Sequence, residues 1–285
     1  MTVLSDLVDL VLTLGEEKEL PAVRGLYKPR AATSPERPKK FGVIALDDGS
    51  CGFFFAGLDD TLSRLDACDP RQFIETPTLD LVKHCLDEDP LLTAVGLGSL
   101  NAVSQHLLKT TGFKLDRATD PVGRLDLAGA RHVGMVGFFA PLVREWENYA
   151  GALTVIEKDP QFLDRSGPFE VTDQTDRLRG CDRVLITGST LINDTLDDVL
   201  SHCDPRAQVA LVGPSASCLP DPIFDRGVDV VGSTMVCDLP RLETQLEAGQ
   251  PWAEGTAKYC ITRDQYPGIR QMIRGTRILR GEPTG

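Results

Sequence analysis

Polar and small residues that could hold a ligand follow several apolar stretches in the second half of the chain. The richest segment, residues 187–195, places five hydroxyl or amide side chains and one glycine ahead of a helical pattern. These residues are Thr187, Gly188, Ser189, Thr190, Asn193 and Thr195. Capping of the next helix accounts for one or two of them, because Ser, Thr and Asn are favoured at helix starts. The surplus predicts hydrogen bonds to a polar ligand.

Two other apolar stretches end on an aromatic pair and on a carboxylate. Residues 131–136 run into Gly137, Phe138 and Phe139, and a second stretch ends on Glu157, 20 positions after Gly137. In dinucleotide-binding folds an acidic residue at this spacing holds a ribose hydroxyl. The same folds need a glycine near the position of Phe139, where backbone approaches a pyrophosphate. The pattern therefore indicates the architecture of such a fold without its usual phosphate contact.

Two further segments complete the candidate binding site. Gly213, Pro214 and Ser215 follow the apolar residues 208–212 and predict a tight turn with little side-chain bulk. Asn101 lies inside a long apolar helical segment, where a buried amide needs a hydrogen-bond partner or must face a cleft. We expect all of these residues to contact the ligand.

No catalytic residue can be named from spacing alone. The sequence contains no nucleophile elbow, no P-loop and no paired-histidine zinc motif. If the chain catalyses a reaction, Glu157 and Asp194 are the first candidates for a general base. For Asp194 there is a simpler explanation, namely that Asn193 or Asp194 caps the helix that follows.

The order of apolar and helical patterns indicates an α/β protein with two domains. From about residue 121 onward, strand-like runs alternate with helical patterns, which is typical of a Rossmann-like parallel sheet with helices on both faces. Residues 1–120 combine short strands with helices in separate blocks, which predicts an α+β domain. We therefore expect domains at 1–120 and 121–285. The post-strand loops of the second domain should meet at one edge of its sheet.

Composition excludes some partners and favours others. The chain has 285 residues and a formal net charge of −12, which disfavours nucleic acid and anionic membranes as partners. The eight cysteines and four histidines show no metal-ligand spacing, and no secretory signal or membrane-length apolar run is present. We expect a cytoplasmic protein with reduced thiols that binds a small molecule or a metal ligand. The oligomeric state, including a homo-oligomer, stays open.

Two basic segments have less specific interpretations. Residues 28–40 hold three prolines and five basic residues, and residues 259–285 hold five arginines. The first segment predicts a solvated loop or a lid that offers cations to an anionic ligand. We interpret the second as a surface helix followed by a tail.

Three segments together resemble a known family. They are VGMVGFFAPLVREW, LTVIEKDP, and the stretch from LITGSTLINDTLDDVL to ALVGPSASCLPDPIFDRGVDVVGSTMV. They are similar to the heavy-metal chelation domain family, a Rossmann-like domain of unknown function, over about residues 123–250. The matching positions are Gly137, Phe138, Glu157, Thr187, Gly188, Thr190, Asn193, Thr195, Gly213 and Pro214. Residues 96–103 resemble the end of a companion domain that is similar to the amino-terminal domain of enolases.

The resemblance implies a site in a cleft between an enolase-like domain and a Rossmann-like domain. It also implies a role in heavy-metal chelation or metal-related metabolism, with a metal ion as the implied cofactor. Two alternatives remain open at this point. One is a nucleotide- or S-adenosylmethionine-dependent enzyme, in which Phe138 and Phe139 stack on an adenine. The other is a non-enzymatic assembly partner in a metallocentre pathway.

Overall fold

The polypeptide forms two β-sheets, and helices pack around both of them. The computed structural model describes residues 1–29, 40–120, 122–165, 167–248, 250 and 252–280. Residues 30–39 of the basic loop and residues 281–285 of the C-terminal segment lie outside these ranges, so the interpretations of those residues stay predictions. Within the described ranges, no helix is long and apolar enough to cross a membrane.

The smaller sheet is antiparallel, with strand order β1-β2-β3. Its strands are β1 (Val23–Tyr27), β2 (Phe41–Leu46) and β3 (Cys51–Phe55). Strands β2 and β3 form a hairpin, and its turn contains Gly49 at a φ of 83°, a left-handed conformation that glycine adopts without strain. Asp48 accepts hydrogen bonds from the Ser50 N–H (2.9 Å) and the Ser50 hydroxyl (2.8 Å), which closes the turn.

Helices surround the smaller sheet and cover one of its faces. They are α1 (Val3–Glu16), α2 (Thr61–Ala67), α3 (Arg71–Ile74), α4 (Thr78–Lys83) and α5 (Pro90–Thr110). Helix α5 is buried along nearly its whole length and crosses strand β3 at close range. A Cβ atom at Gly52 would overlap the carbonyl oxygen of Gly98, so glycine is required at this crossing.

The larger sheet has seven strands in the order β10-β9-β8-β7-β4-β5-β6. They are β4 (His132–Val136), β5 (Ala152–Ile156), β6 (Glu170–Thr172), β7 (Arg183–Thr187), β8 (Gln208–Val212), β9 (Val230–Val236) and β10 (Thr256–Thr262). Strands β4 to β9 pair in parallel, as the sequence predicts. Strand β10 pairs antiparallel with β9, so the sheet is mixed. Strands β6 and β10 have no counterpart among the strands predicted from the sequence.

Short helices connect the strands of the larger sheet. They are α6 (Ala140–Arg144), α7 (Pro160–Leu163), α8 (Leu196–Ser201), α9 (Asp221–Asp225), α10 (Leu239–Glu247) and α11 (Ile269–Arg280). The prediction of a helix in the C-terminal segment is confirmed by α11. The prediction that Asn193 or Asp194 caps the helix after β7 is wrong, because α8 begins after Thr195 and no side chain caps it.

The smaller sheet lies between α5 and α10. Phe54 faces α5, where a Cβ at Gly98 would contact its ring, whereas Phe53 packs with Leu242 and Leu246 of α10. Burial of one such side chain is worth about 1.5–3 kcal/mol. The largest buried cluster contains residues from both sides of position 120. The predicted division into domains at 1–120 and 121–285 therefore stays a prediction.

The hairpin turn is also tied to the end of α5. The imidazole Nδ1 of His106 lies 2.9 Å from Asp48 Oδ2, and Lys109 Nζ lies 3.4 Å from the same oxygen. Burial opposes ionisation of Asp48, but hydrogen bonds from His106 and Ser50, together with the charge of Lys109, outweigh it. The pKa of Asp48 is consequently lowered to about 2.

We predict a pH-dependent contribution of Asp48 to stability. Because its pKa is lower in the folded state than in the unfolded chain, the contribution is fully present above about pH 4 and is lost as the pH falls toward 2. Asp48→Asn should cost about 2 kcal/mol of unfolding free energy at pH 6 and much less at pH 2. Urea unfolding at a series of pH values measures this difference. Asp47→Asn, a change at the exposed neighbour, is the control. A penalty for Asp48→Asn that stays the same at both pH values would contradict the prediction.

Candidate functional site

A cavity of about 930 Å³ opens at the carboxyl edge of the larger sheet. The strand order reverses between β4 and β7, and ligands of open α/β sheets bind at such a reversal. The exits of β4, β5, β7 and β8 form one side of the cavity. Residues of the smaller sheet and the loop after it form the other side: Lys40, Phe41, Phe55, Gly57, Leu58 and Asp59.

The structure brings thirteen of the fourteen predicted site residues together around this cavity. They are Gly137, Phe138, Phe139, Glu157, Thr187, Gly188, Ser189, Thr190, Asn193, Thr195, Gly213, Pro214 and Ser215. Their convergence follows from the parallel sheet, which directs every strand exit to the same edge. Their role in binding a ligand stays a prediction.

Asn101 is the exception, because it does not line the cavity. Its side chain is fully buried in α5 and donates two hydrogen bonds, to the carbonyl oxygens of Phe53 (2.8 Å) and Ser215 (2.9 Å). The expectation that Asn101 faces the ligand is therefore corrected. It contacts the backbone of a cavity residue instead of the cavity itself.

Glycines allow the strand exits to pack against one another. Gly137 has a φ of 88°, and a Cβ at this position would lie 2.9 Å from the Thr187 methyl carbon. A Cβ at Gly188 would lie 2.9 Å from the backbone nitrogen of Ala216. Real Cβ atoms do not lie this close to other heavy atoms, and the backbone near Gly188 cannot move away as a side chain can, so glycine at these positions lets the exits of β4, β7 and β8 stay in contact.

The hydroxyl groups after β7 largely satisfy one another. Thr187 Oγ1 lies 3.1 Å from Ser189 Oγ, and the Thr190 hydroxyl donates to the Thr187 carbonyl oxygen at 2.8 Å. The Thr195 hydroxyl donates to Asn193 Oδ1 at 2.7 Å. Local bonding therefore accounts for much of the polar surplus seen in the sequence. It fixes the loop conformation and leaves fewer groups free for a ligand.

Glu157 is held by the backbone around it. One carboxylate oxygen accepts from the Phe138 N–H at 3.2 Å, and the other accepts from the N–H groups of Lys158 (2.8 Å) and Asp159 (3.1 Å). These bonds tie the exit of β4 to the exit of β5. They occupy three of the roughly four acceptor positions of a carboxylate, so little capacity remains for a ribose diol.

Aromatic rings form two parts of the cavity wall. Phe138 stacks on Phe162 with ring centroids 4.9 Å apart and an interplanar angle of 25°. On the opposite side of the cavity, Phe41 and Phe55 lie 5.2 Å apart, and the Lys40 ammonium lies 5.9 Å from the Phe55 ring.

Sequence reasoning missed Phe41, Phe55 and Phe162. Strand alternation could have placed Phe55 on the same side of β3 as Phe53. No local pattern shows, however, that this side meets the other sheet.

The charged groups of the cavity wall do not form a metal site. The lining includes two lysines and four carboxylates but no thiol and no imidazole. Throughout the described part of the chain, no group of three or more His, Cys, Asp or Glu residues is arranged to hold a metal ion. Asp194, a candidate base in the sequence analysis, is exposed at a φ of 50° and lies outside the lining.

The cysteines also do not fit a site for a soft metal. Five of the eight are buried, and burial raises the pKa of the thiols of Cys51 and Cys218 to about 12. Cys237 is exposed, and none of these three cysteines lines the cavity. The described cavity wall therefore offers no thiol for direct coordination of a soft metal.

A family model described as "Putative heavy-metal chelation", DUF364, matches residues 120–262. The chain belongs to this family. The matched region contains the larger sheet and every predicted site residue except Asn101. The resemblance noted in the sequence is thereby confirmed for the Rossmann-like part. The likeness of residues 1–120 to the amino-terminal domain of enolases stays a prediction.

Relatives and solved structures agree with membership of DUF364. An uncharacterized protein of Methanocaldococcus jannaschii is 29% identical over 147 residues, which are 52% of this chain and 56% of that protein. The match thus spans little more than half of that relative.

Two crystal structures of DUF364 proteins with unknown function share the fold, and each covers 91% of this chain. The Pyrococcus horikoshii protein has a TM-score of 0.64, 16% identity and 99% of its own chain covered. The Desulfitobacterium hafniense protein has a TM-score of 0.67, 17% identity and 98% of its own chain covered. At these identities the likeness shows the fold alone.

We predict that Gly188→Ala separates the exits of β7 and β8. The added methyl group would lie 2.9 Å from backbone, which cannot move away as a flexible side chain can. The expected cost is about 1–3 kcal/mol of unfolding free energy, measured by urea unfolding. Gly180→Ala is the control, since its nearest neighbour, a ring nitrogen of His132, is 3.8 Å away. Equal costs for the two variants would show that the exits are not closely packed.

Proposed function

We propose that the cavity binds a small organic molecule that combines a flat ring with polar groups. The observation that carries this proposal is the presence of aromatic pairs on both sides of one cavity: Phe138 with Phe162, and Phe41 with Phe55. Cavities of about 300–1,000 Å³ with apolar walls and a few polar groups are typical of small-molecule sites. Ser189, Asn193 and Ser215 contribute polar groups to the lining.

An organic chelator would connect the heavy-metal description of the family with the aromatic and polar wall of this cavity. The lining offers no thiol or imidazole, so it does not suit a bare soft cation. Flat aromatic chelators bind metals through their own oxygen and nitrogen atoms and present ring surface to a protein. We propose that this chain recognises such a molecule, or its metal complex, by the ring and the polar edge. We also propose that residues 1–120 and 121–285 are two domains that contribute opposite walls.

The two alternative functions have less support. The Glu157 carboxylate already accepts hydrogen bonds from three backbone N–H groups, so little capacity remains to accept from the ribose hydroxyls of a nucleotide. This disfavours a nucleotide-dependent enzyme. A cavity of this size between the two sheets favours a ligand-binding role over action through the outer surface alone. The binding experiment described next also distinguishes these two alternatives from the proposed function.

The test is a binding panel measured by thermal shift and isothermal titration. It contains 8-hydroxyquinoline-5-sulfonate, the Zn²⁺ complex of that molecule, ZnCl₂ and NiCl₂ alone, and ATP, NAD and S-adenosylmethionine. We expect the quinoline and its complex to raise the Tm, because a ligand at 100 times its Kd stabilises by about 2.7 kcal/mol. The bare ions and the nucleotides should have little effect. Stabilisation by a bare ion or by a nucleotide alone would overturn the proposal, as would silence across the panel.

We further predict that Phe138→Leu weakens binding of the quinoline about tenfold, which corresponds to about 1.4 kcal/mol of lost ring contact. The N–H of residue 138 stays in place, so the bond to Glu157 is retained. Phe113→Leu is the matched control, because its ring packs on Tyr266 at 5.5 Å and does not line the cavity. If the control loses as much affinity as Phe138→Leu, the ligand does not contact the aromatic wall.

A further inference from the structure

The carbonyl groups of the loop after β8 are held by side chains from outside the loop. In residues 213–217, four of the five carbonyl oxygens lie within hydrogen-bond distance of such a side chain. The single hydroxyl hydrogen of Ser233 is shared between Gly213 O at 3.0 Å and Pro214 O at 3.2 Å. On the other side, Asn101 Nδ2 donates to Ser215 O at 2.9 Å, and Gln105 Nε2 donates to Ser217 O at 2.8 Å.

The three donors are buried and do not line the cavity. Asn101 and Gln105 lie one turn apart on α5, and their side chains are 0% and 9% exposed, while Ser233 on β9 is 4% exposed. Gln105 also donates to the Tyr259 hydroxyl at 2.9 Å. Burial raises the pKa of the Tyr259 phenol, so this group stays protonated and neutral. Because these donors lie on the protein side of the loop, the carbonyl groups point away from the cavity.

The opposite face of the loop consequently carries hydrogen-bond donors. All described peptide bonds are trans, and in a trans peptide the N–H points opposite to the carbonyl. Since Pro214 O points to Ser233, the N–H of Ser215 points away from Ser233. The next N–H, that of Ala216, is already bonded to Gly213 O at 3.0 Å. Ser215 lines the cavity and is only 2% exposed, so a ligand would have to lie directly against it to accept from its N–H or its hydroxyl.

The position of Asn101 carries a cost that a purely structural residue would avoid. Its Oδ1 is buried and has no hydrogen-bond partner within the described residues. An unsatisfied buried amide oxygen costs about 1–3 kcal/mol. The fold bears this cost while both hydrogens of Nδ2 hold carbonyl groups, one on β3 and one in the cavity loop.

We propose that Asn101 and Ser233 are positioning residues, which orient loop 213–217 so that Ser215 donates to an acceptor group of the ligand. The acceptor is a carboxylate, a carbonyl oxygen or a phenolate attached to the ring. This inference rests on the proposed function and specifies which polar group of the ligand faces β8. In this arrangement Asn101 does not touch the ligand, and it affects binding only through the position of loop 213–217.

The experiment compares two probes that share one ring and differ in polarity: 1-naphthoate and 1-naphthylmethylammonium. Isothermal titration should show that the protein binds 1-naphthoate more tightly. Ser233→Ala and Asn101→Leu should each weaken 1-naphthoate about tenfold and change the affinity for 1-naphthylmethylammonium less than twofold. Ser99→Ala is the matched control, because this buried α5 hydroxyl bonds only to Val95 O of its own helix. It should leave both affinities unchanged.

A second measurement follows the loop directly. Hydrogen exchange detected by mass spectrometry should show faster exchange of the amides of residues 215–217 in Ser233→Ala, with the amides of β8 unchanged. Ser233→Ala carries the test if Asn101→Leu does not fold, because it removes a single hydroxyl.

The possible results separate this inference from the proposed function. Equal binding of the two probes by the unmodified protein would overturn the donor role of Ser215 while leaving the ring site in place. An equal loss of both probes in Ser233→Ala would show a structural role only. If the unmodified protein binds neither probe, the proposed function fails, and the present inference fails with it.

Discussion

The cavity depends on how closely three strand exits approach one another. Gly137 meets Thr187, Gly188 meets Ala216, and Gly213 lies next to the nitrogen of Gly188. A side chain at Gly188 would force backbone apart, and Gly137 and Gly213 have positive φ angles that other residues rarely adopt. With the exits in contact, the strand ends next to the reversal between β4 and β7 carry little side-chain bulk at these three positions. A ligand can therefore approach the sheet edge closely.

Helix α5 supports both walls of this cavity at once. Its apolar side chains pack under the smaller sheet, and two of its amides reach the loop after β8. The buried serines of this helix bond to carbonyl oxygens of the helix itself, whereas its buried amides bond to groups on neighbouring elements. The amides of Asn101 and Gln105 thereby become the contacts that fix the distance between the hairpin and the edge of the larger sheet.

The sequence allowed much of the larger sheet to be predicted, because each of its central strands is a continuous apolar run followed by a small or polar residue. Once these strands were recognised, the parallel topology alone implied that Gly137, Thr187 and Gly213 meet at one edge. That placement needed no knowledge of side-chain contacts. Fold-level rules were sufficient for it.

Other features could not be predicted because they depend on distant partners. Strand β10 carries a lysine and an alanine on its exposed half, and its identity as a strand comes from pairing with β9. Glu157 lies at the sequence position of the acidic residue that binds ribose in dinucleotide-binding folds, yet its carboxylate accepts hydrogen bonds from neighbouring backbone N–H groups instead. The sequence likewise does not show that the Asn101 amide bonds to the backbone of Phe53 and Ser215 and therefore does not face the cavity. A sequence shows that an amide or a carboxylate needs partners, but it does not show which backbone groups are within reach.

The electrostatics of the cavity also limit the kind of ligand that it can recognise. The described wall contains four carboxylates, those of Asp59, Glu157, Asp159 and Asp198, against the two ammonium groups of Lys40 and Lys158. This net negative charge disfavours a polyanion, and the carboxylates belong to no group of three or more potential metal ligands within the described residues. Under the proposed function, affinity comes from ring contact and from hydrogen bonds of fixed direction, which an organic molecule supplies and a free metal ion does not. The proposed function therefore assigns this cavity to a chelating organic molecule, because its described wall supplies aromatic rings and directed polar groups but no thiol or imidazole.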